Sequence, residues 1–214
     1  MHLNRRSLLA LMGGFAALPT MAEAAGTDAG TAGKADASNP YGPRYLGKAS
    51  APIQVMEFYS LTCPHCAFFE TNTLPEVKKK FIDTGKLRLT FRDFPLDGIA
   101  LMAAQVARSL PASEYYPFVA ALFASQDKWA FAPGEHTKAQ YEKAIFRYAA
   151  LAGMDKASFD AAIANDKLKQ FILDERSHAE KKYKIDATPT FIMNGKKHEG
   201  AMTFKEFAAY IGQV

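Results

Sequence analysis

The chain has few cysteines, the residues that form the stabilising disulfide bonds of many small secreted domains. Among 214 residues there are only two cysteines, Cys63 and Cys66, and one tryptophan. A secreted protein stabilised by disulfides usually carries several pairs at long spacing. A bond between residues so close together removes little entropy from the unfolded chain. The pair therefore indicates chemistry rather than stabilisation.

The sequence also lacks a strong charge imbalance. It has 26 basic and 22 acidic residues and a formal net charge of +4. The basic residues are dispersed, apart from short runs at 78–80 and 181–182, which are typical of solvated helix faces rather than of phosphate-binding patches. The composition therefore argues against nucleic-acid binding and favours a soluble domain with one sizeable core.

No apolar run reaches the roughly 18 residues that a membrane-spanning helix needs. The apolar run at 8–18 follows Arg5-Arg6 and precedes Ala22-Glu23-Ala24. A basic start, a short apolar run and a small-residue cleavage site predict a cleaved export signal over 1–24, with an uncleaved anchor as the alternative. Residues 25–40 contain no large apolar side chain, so we expect a flexible leader there.

From residue 41 to residue 214 we expect one folded domain in which strands and helices alternate. The mostly apolar run Ile53–Tyr59 is typical of a central strand, and Leu87–Arg92 alternates as a second strand. Helical segments with little strand character fill about 98–165. A further helix is predicted over about 166–183.

The C-terminal part predicts a hairpin and a last helix. Asn194-Gly195 is a strong two-residue turn between the strand 188–193 and a returning strand at 196–199. Thr203 and Glu206 have the spacing of a capping box. The whole order predicts an α/β fold: a mixed central sheet flanked by helices, with a large all-helical insertion.

The two cysteines lie where the first strand ends and a helix is predicted to begin, with Pro64 tolerated in its first turn. This helix is expected to break at Pro75 and to end near Gly85. Disulfide exchange is performed by the thiolate. Unpaired N–H groups and the helix dipole favour a negative Cys63, and His65 can add a positive charge or a hydrogen-bond donor. We therefore expect a low pKa for Cys63, a buried and more ordinary thiol at Cys66, and an oxidising disulfide.

Three other uses of the pair fit less well. A zinc site needs two more ligands, and His136, His178 and His198 do not form a spaced pair. Haem attachment requires a histidine where Ala67 stands. A purely structural disulfide is unfavourable, because the loop that it would close between Cys63 and Cys66 is too short to stabilise the fold much. The sequence therefore predicts neither a metal nor an organic cofactor.

Two segments together resemble a known family. Glu57–Cys66, which reads EFYSLTCPHC, and Thr188–Phe191, which reads TPTF, look like the DsbA-like branch of the thioredoxin superfamily. The resemblance covers roughly 41–214 and implies the thioredoxin fold, into which the helical insertion also fits. The cysteine motif is highly specific, whereas the Thr-Pro element is specific only in combination with it.

The resemblance also implies roles for three further residues. Pro189 is expected to be a cis proline beside the active-site disulfide, and the backbone of Thr188 is expected to pair with an extended substrate segment. Glu57 matches the buried acidic residue that helps to move protons to and from the buried cysteine. From the residues alone, Glu57 can equally be an exposed strand residue.

The sequence thus predicts a monomeric thiol:disulfide oxidoreductase of the bacterial periplasm that donates disulfides to reduced, newly exported proteins. The resemblance implies reoxidation by a membrane quinone-linked partner of the DsbB type. Thr188 departs from the valine of the best-known oxidases, which leaves a reductase or isomerase open, although an isomerase would usually carry an N-terminal dimerisation domain. A metal-binding or chaperone-like envelope protein is the alternative from another class.

Overall fold

A computed structural model describes residues 39–134 and 137–212. The predicted export signal, almost all of the predicted leader, and His136 lie outside the described residues. Among those that are described, no helix is both long enough and apolar enough to cross a membrane.

A five-stranded mixed sheet forms the centre of the fold, in the order β1-β3-β2-β4-β5. The strands are β1 (Arg44–Leu46), β2 (Ile53–Tyr59), β3 (Leu87–Asp93), β4 (Thr190–Met193) and β5 (Lys196–Glu199). Strands β2 and β3 run parallel, and the other three pairs are antiparallel. The predicted mixed sheet is confirmed, and the strand that carries the cysteines at its end is the central one.

Strand β1 was not predicted from the sequence. It is only three residues long, and its first residue, Arg44, is buried. The Arg44 guanidinium donates a hydrogen bond of 3.0 Å to the carbonyl of Arg108 in the helical insertion. A buried arginine held by a distant carbonyl leaves no alternating apolar pattern for sequence reasoning to detect.

Helices follow the strands as the sequence predicts. Those of the described chain are α1 (Pro64–Phe68), α2 (Leu74–Val77), α3 (Gly98–Ser109), α4 (Ala112–Phe123), α5 (Gln126–Trp129), α6 (Lys138–Leu151), α7 (Lys156–Ile163), α8 (Asp166–Tyr183) and α9 (Phe204–Tyr210). Helices α3 to α7 form the all-helical insertion between β3 and α8.

The helical segment after the cysteines differs from the prediction in one respect. The sequence predicts a break at Pro75, but π-helical stretches at Phe69–Thr73 and Lys78–Ile82 join α1 and α2 into one continuous run. Pro75 has no N–H to donate, and the π-helical stretch before it accommodates this loss, because the Leu74 N–H donates to the Phe69 carbonyl five residues back. The helical run therefore continues past Pro75, with a local change from α-helical to π-helical hydrogen bonding.

The hairpin turn and the capping box that were predicted near the C-terminus are both confirmed. Asn194 and Gly195 have φ angles of 51° and 75°, as a two-residue hairpin turn requires. Thr203 and Glu206 form a capping box in which the threonine side chain accepts from the Glu206 backbone N–H, and the glutamate accepts from the Thr203 N–H. These short-range signals explain why β4, β5 and α9 were predicted accurately.

A buried polar network joins the helical insertion to the sheet. The Tyr59 hydroxyl donates a hydrogen bond of 2.8 Å to Asp93 at the end of β3 and lies 2.5 Å from the Tyr115 hydroxyl of α4. The Arg108 guanidinium of α3 forms a buried ion pair with the same Asp93. Burial of an ion pair is tolerated only when both charges are fully bonded. The network therefore holds α3 and α4 against the ends of β2 and β3.

Candidate active site

Cys63 is the N-cap residue of α1. Its backbone is extended, at φ −81° and ψ 120°, and Pro64 occupies the first helical position. The Cys63 N–H donates to the Ser60 carbonyl at 3.0 Å, so a tight turn carries the chain from the end of β2 into α1. This turn brings the Cys63 sulfur to the positive end of the helix.

The two cysteines are reduced in this structure and differ in their surroundings. Cys63 is 5% exposed, whereas Cys66, one turn further along α1, is 0% exposed. A hydrogen bond from the Cys66 thiol is the main reason why the pKa of Cys63 is lowered to about 5, and burial opposes this effect. The backbone N–H groups of Cys66 and His65 lower the pKa of Cys63 further.

Cys66 shows the opposite behaviour. Burial raises its pKa well above that of a free thiol, and the nearby Cys63 and Glu57 raise it further. At neutral pH the pair therefore holds one thiolate, at Cys63, and one thiol, at Cys66. This asymmetry is what stepwise disulfide exchange uses, because the two sulfurs then act as different leaving groups.

Pro64 and His65 are both exposed on the surface around the cysteines. Across the described chain the His65 ring makes no hydrogen bond or ion pair; what His65 supplies to the Cys63 sulfur is its backbone N–H. Any residue except proline would supply the same N–H. A role for the imidazole itself stays a prediction.

The Thr188–Pro189 peptide bond is cis, as the resemblance implied. It lies directly beside the cysteines, since the Cys63 thiol donates to the Thr188 carbonyl at 3.2 Å. Thr188 is buried, and its hydroxyl has no hydrogen-bond partner among the residues that the structure describes. The structure thus brings a loop 125 residues away in sequence onto the reactive sulfur, while the role of this loop in holding a substrate stays a proposal.

Glu57 is a buried residue of β2, so the alternative of an exposed strand residue is wrong. It is 2% exposed, and within 39–134 and 137–212 its Oε2 atom has no hydrogen-bond partner. Burial raises its pKa well above the ordinary value, and Glu70 and Cys63 raise it further. Burial next to Glu70 and Cys63 therefore favours the protonated form of this carboxyl group.

Two residues of the site were not predicted from the sequence. Glu70 lies one turn after Cys66 and is 4% exposed, and burial raises its pKa to about 7. Gln126, in the helical insertion, donates hydrogen bonds of 2.7 Å and 3.1 Å to the carbonyls of Leu61 and Cys63. The spacing of Glu70 from Cys66 is a helical i, i+4 signal that could have been noticed; Gln126 has no local signal.

The insertion also contacts the cysteine loop at its beginning. The Thr62 hydroxyl donates a hydrogen bond of 2.6 Å to Asp97, whose other carboxyl oxygen caps α3 by accepting from the N–H groups of Ile99 and Ala100. The loop between β2 and α1 is thus held from the insertion at both Thr62 and Cys63.

No metal centre is visible in the part of the chain that the structure describes. Within 39–134 and 137–212, no group of three or more His, Cys, Asp or Glu side chains is arranged to hold a metal ion. The two cysteine sulfurs instead contact each other, a backbone carbonyl and backbone N–H groups.

Comparison with known families agrees with this geometry. The model of the family described as Thioredoxin matches residues 39–213, which includes the whole sheet and both parts of the candidate site. Fold and site together therefore define a protein of the thioredoxin class.

Individual relatives show which branch of the thioredoxin class the chain resembles. The crystal structure of alpha-DsbA1 from Wolbachia pipientis is 33% identical, covers 80% of this chain and 89% of that chain, and has a TM-score of 0.72. Disulfide bond formation protein D from Bacillus subtilis is 27% identical over 79% of this chain and 72% of that protein. The chain belongs to the DsbA-like branch of the thioredoxin family.

A relative from Rickettsia prowazekii is provisionally named a protein-disulfide oxidoreductase. It is 30% identical over 72% of this chain, but the match covers only 55% of that protein. The chain thus spans about half the length of the Rickettsia relatives that it matches.

Proposed function

We propose that this protein is a thiol:disulfide oxidoreductase that donates its Cys63–Cys66 disulfide to reduced proteins. The observation that carries the proposal is the asymmetry of the pair: the pKa of Cys63 is lowered to about 5, whereas that of Cys66 is raised. A stabilised Cys63 thiolate favours the reduced enzyme, and therefore makes the enzyme disulfide a strong oxidant.

The exchange proceeds in two steps. A substrate thiolate attacks the Cys63 sulfur of the disulfide, the Cys63–Cys66 bond breaks, and Cys66 leaves as a thiolate that takes up a proton. A second substrate thiolate then attacks the substrate sulfur of the mixed disulfide and expels Cys63 as a thiolate. The substrate loses two electrons and the enzyme disulfide gains them.

Exposed apolar residues on the elements attached to the cysteine loop suit extended, unfolded substrates. Phe68, Leu96 and Phe131 are exposed large apolar residues. Phe68 ends α1, the Leu96 N–H donates to the Ser60 hydroxyl, and the Phe131 N–H donates to the Gln126 carbonyl, so each lies on an element attached to the cysteine loop. Such apolar groups, together with the Thr188 backbone, bind by area and main-chain contacts rather than by sequence.

The cellular setting follows from the N-terminal sequence and the family. An export signal would deliver the protein to the periplasm, where disulfides form and persist. Reduced exported proteins would be the substrates of a monomeric enzyme, and a quinone-linked membrane protein of the DsbB type would reoxidise it. No metal or organic cofactor takes part in the exchange.

Trapping substrates tests the two-step scheme. We expect Cys66→Ala to accumulate mixed disulfides with proteins that already carry disulfides, because its Cys63 thiolate attacks a protein disulfide and expels one sulfur as a thiolate, the reverse of the second step. Cys66 is then not present to displace the bound protein. Cys63→Ala should form no mixed disulfide. Non-reducing gels of cell extracts give the measurement. A Cys66→Ala protein that traps nothing would show that the scheme is wrong.

A reductase or isomerase is the second candidate. It is favoured by Thr188 and by the likeness to a protein-disulfide isomerase from Novosphingobium aromaticivorans, which is 26% identical with a TM-score of 0.68. Equilibration with glutathione separates the two. We expect a reduction potential closer to the roughly −120 mV of DsbA than to the roughly −270 mV of thioredoxin, and a value near the latter would favour the reductase.

A further inference from the structure

A groove beside β1, called here the β1 groove, takes no part in the proposed exchange, and neither cysteine lines it. It has a volume of about 540 Å³, and cavities that bind small molecules have volumes of roughly 300–1,000 Å³ and mostly apolar walls. Within 39–134 and 137–212 no acidic side chain lines the groove. Apolar and aromatic residues form most of its walls, among them Pro43, Leu46, Ala112, Tyr115, Tyr116 and Pro117.

Arg44 lines the β1 groove and is a buried cation. It is 3% exposed, and among the residues that the structure describes its Nε atom has no hydrogen-bond partner. Both terminal nitrogens donate to the Asn39 carbonyl at 3.2 Å, and one also donates to the Gly42 carbonyl at 3.4 Å. Hydrogen bonds from a guanidinium to a carboxylate are shorter, about 2.7–2.9 Å. Long bonds to neutral carbonyls therefore hold the guanidinium on the side of Asn39 and Gly42, which also line the groove.

The charge of Arg44 is not balanced by an acid of its own. Burial lowers the pKa of Arg44, and the nearby Arg108 lowers it further. Asp93 is the acid that acts on both arginines, and it already forms an ion pair with Arg108. Tyr59 and Tyr115, the other titratable groups beside Arg44, are neutral because burial raises the pKa of both. Two buried cations therefore share one anion within the described structure, and an unpaired buried charge costs free energy.

We propose that the β1 groove binds a small aliphatic carboxylate, with the carboxylate group paired to Arg44 and the chain against the apolar walls. One negative charge balances the one unpaired positive charge, whereas a phosphate group would bring about −1.5 to −2. A carboxylate is also planar, so it can accept from two guanidinium N–H groups at once. Tyr115, whose ring centroid lies 5.3 Å from the guanidinium carbon, forms the wall next to the carboxylate.

The walls of the groove account for the aliphatic chain. Leu46, Ala112 and Pro117 have no side-chain group that could bond a second polar end of a ligand. Tyr115 and Tyr116 both pack on Phe91, with ring centroids 6.1 Å and 5.9 Å apart. The α4 side of the groove is thus fixed by the core before a ligand enters. Each methylene that the ligand buries should tighten binding by about fourfold.

The test is a calorimetric titration of the full-length protein at pH 7 with octanoate, butanoate and 1-octanol. We expect octanoate to saturate one site per chain and to bind much more tightly than butanoate, because its longer chain buries more methylenes. 1-Octanol has the same chain without the charge, so it should bind about tenfold or more weakly than octanoate.

Three variants locate the site. Arg44→Gln removes the cation and should weaken octanoate binding by about tenfold or more, while leaving 1-octanol binding unchanged. Ala112→Tyr fills the groove from α4 and should weaken the binding of both ligands. Its matched control is Ala161→Tyr, which places the same ring at an exposed position of α7 and should bind both ligands as the wild type does.

If Arg44→Gln does not fold, the comparison of octanoate with 1-octanol in the wild type, together with Ala112→Tyr, decides the question. The proposal is overturned if octanoate does not saturate a site, if 1-octanol binds as tightly as octanoate, or if Ala112→Tyr binds octanoate as Ala161→Tyr does. Cys63→Ala should bind octanoate as the wild type does, so this inference and the exchange reaction stand or fall separately.

Discussion

At the scale of single residues, the central property is the difference in pKa between the thiols of Cys63 and Cys66, which are three residues apart. Cys63 is stabilised as a thiolate by the Cys66 thiol and by backbone N–H groups, whereas Cys66 is buried and kept as a thiol. The sequence predicted this direction from the position of Cys63 at a helix start. It did not predict that the Cys66 thiol would be the main contributor.

The low pKa of Cys63 predicts how stability changes with redox state. The pKa of Cys63 is about 5 in the folded protein and about 9 in a free thiol, so the thiolate contributes stability that is complete above about pH 9, declines as pH falls and is lost by about pH 5. The disulfide form has no thiolate. We expect the melting temperature of the reduced protein to exceed that of the oxidised protein at pH 7, with the difference shrinking towards pH 4.

Calorimetry of both forms between pH 4 and pH 8 gives the measurement. Cys63→Ala is the control, because without the thiolate its melting temperature should follow the same pH profile as that of the oxidised protein. An oxidised form that is the more stable one across this range would contradict the assignment of a stabilised thiolate to Cys63.

At the scale of elements, the start of α1 depends on a residue from the helical insertion. The Gln126 amide donates to the carbonyls of Leu61 and Cys63, which are the last positions before the helix. The N–H groups that stabilise the Cys63 thiolate belong to the first turn of α1, so the placement of this turn decides how well they reach the sulfur. Helix α5 thereby acts as a support for the active site.

Replacing Gln126 tests this support. We expect Gln126→Leu to shift the titration midpoint of the Cys63 thiolate, followed by its absorbance at 240 nm, upward by about one pH unit. The matched control is Gln105→Leu, because Gln105 is also buried and its amide also donates to backbone carbonyls, those of Ala162 and Asn165, but within the insertion.

Both glutamine variants should lose about 1–3 kcal/mol of stability, since each leaves buried carbonyls unpaired. Only Gln126→Leu should change the thiolate titration. An equal change in the two variants would mean that general loosening of the insertion, rather than the contact with Cys63, sets the pKa.

At the scale of the whole molecule, a charged pair in the interior attaches the insertion to the sheet. Asp93 ends β3, and Arg108 lies near the end of α3; both are almost completely buried. The Arg108 guanidinium also donates to the carbonyls of Pro40 and Gly42, so it secures the first described residues of the chain as well. One side chain thus holds three segments together.

We expect Arg108→Met to lower the free energy of unfolding by about 3–5 kcal/mol, because Asp93 would keep a buried charge without its partner. Chemical denaturation is the measurement. The control is Lys138→Met, which removes an exposed ion pair with Glu142 and should cost less than about 1 kcal/mol. Similar small losses in both variants would show that the buried pair contributes little.

Sequence by itself determined the strands β2 to β5, the helical character of the insertion, the helices α8 and α9, and which cysteines form the candidate site. Alternating apolar residues, the Asn194-Gly195 turn and the capping box at Thr203 act over a few residues, so each can be recognised where it stands. The short strand β1 and the continuous helix through Pro75 were missed, because a buried arginine and a change of helix register leave no such local pattern.

Only the tertiary structure decided which groups surround the cysteines. Thr188, Gln126 and Tyr116 come from three separate elements, and their contacts with Cys63 or with the buried acids depend on how those elements pack. Burial likewise settled that Glu57 and Glu70 are interior acids, since a glutamate on a strand or helix carries no mark of the side it faces. The pKa of a group is set by desolvation and near charges, and both are properties of the folded neighbourhood.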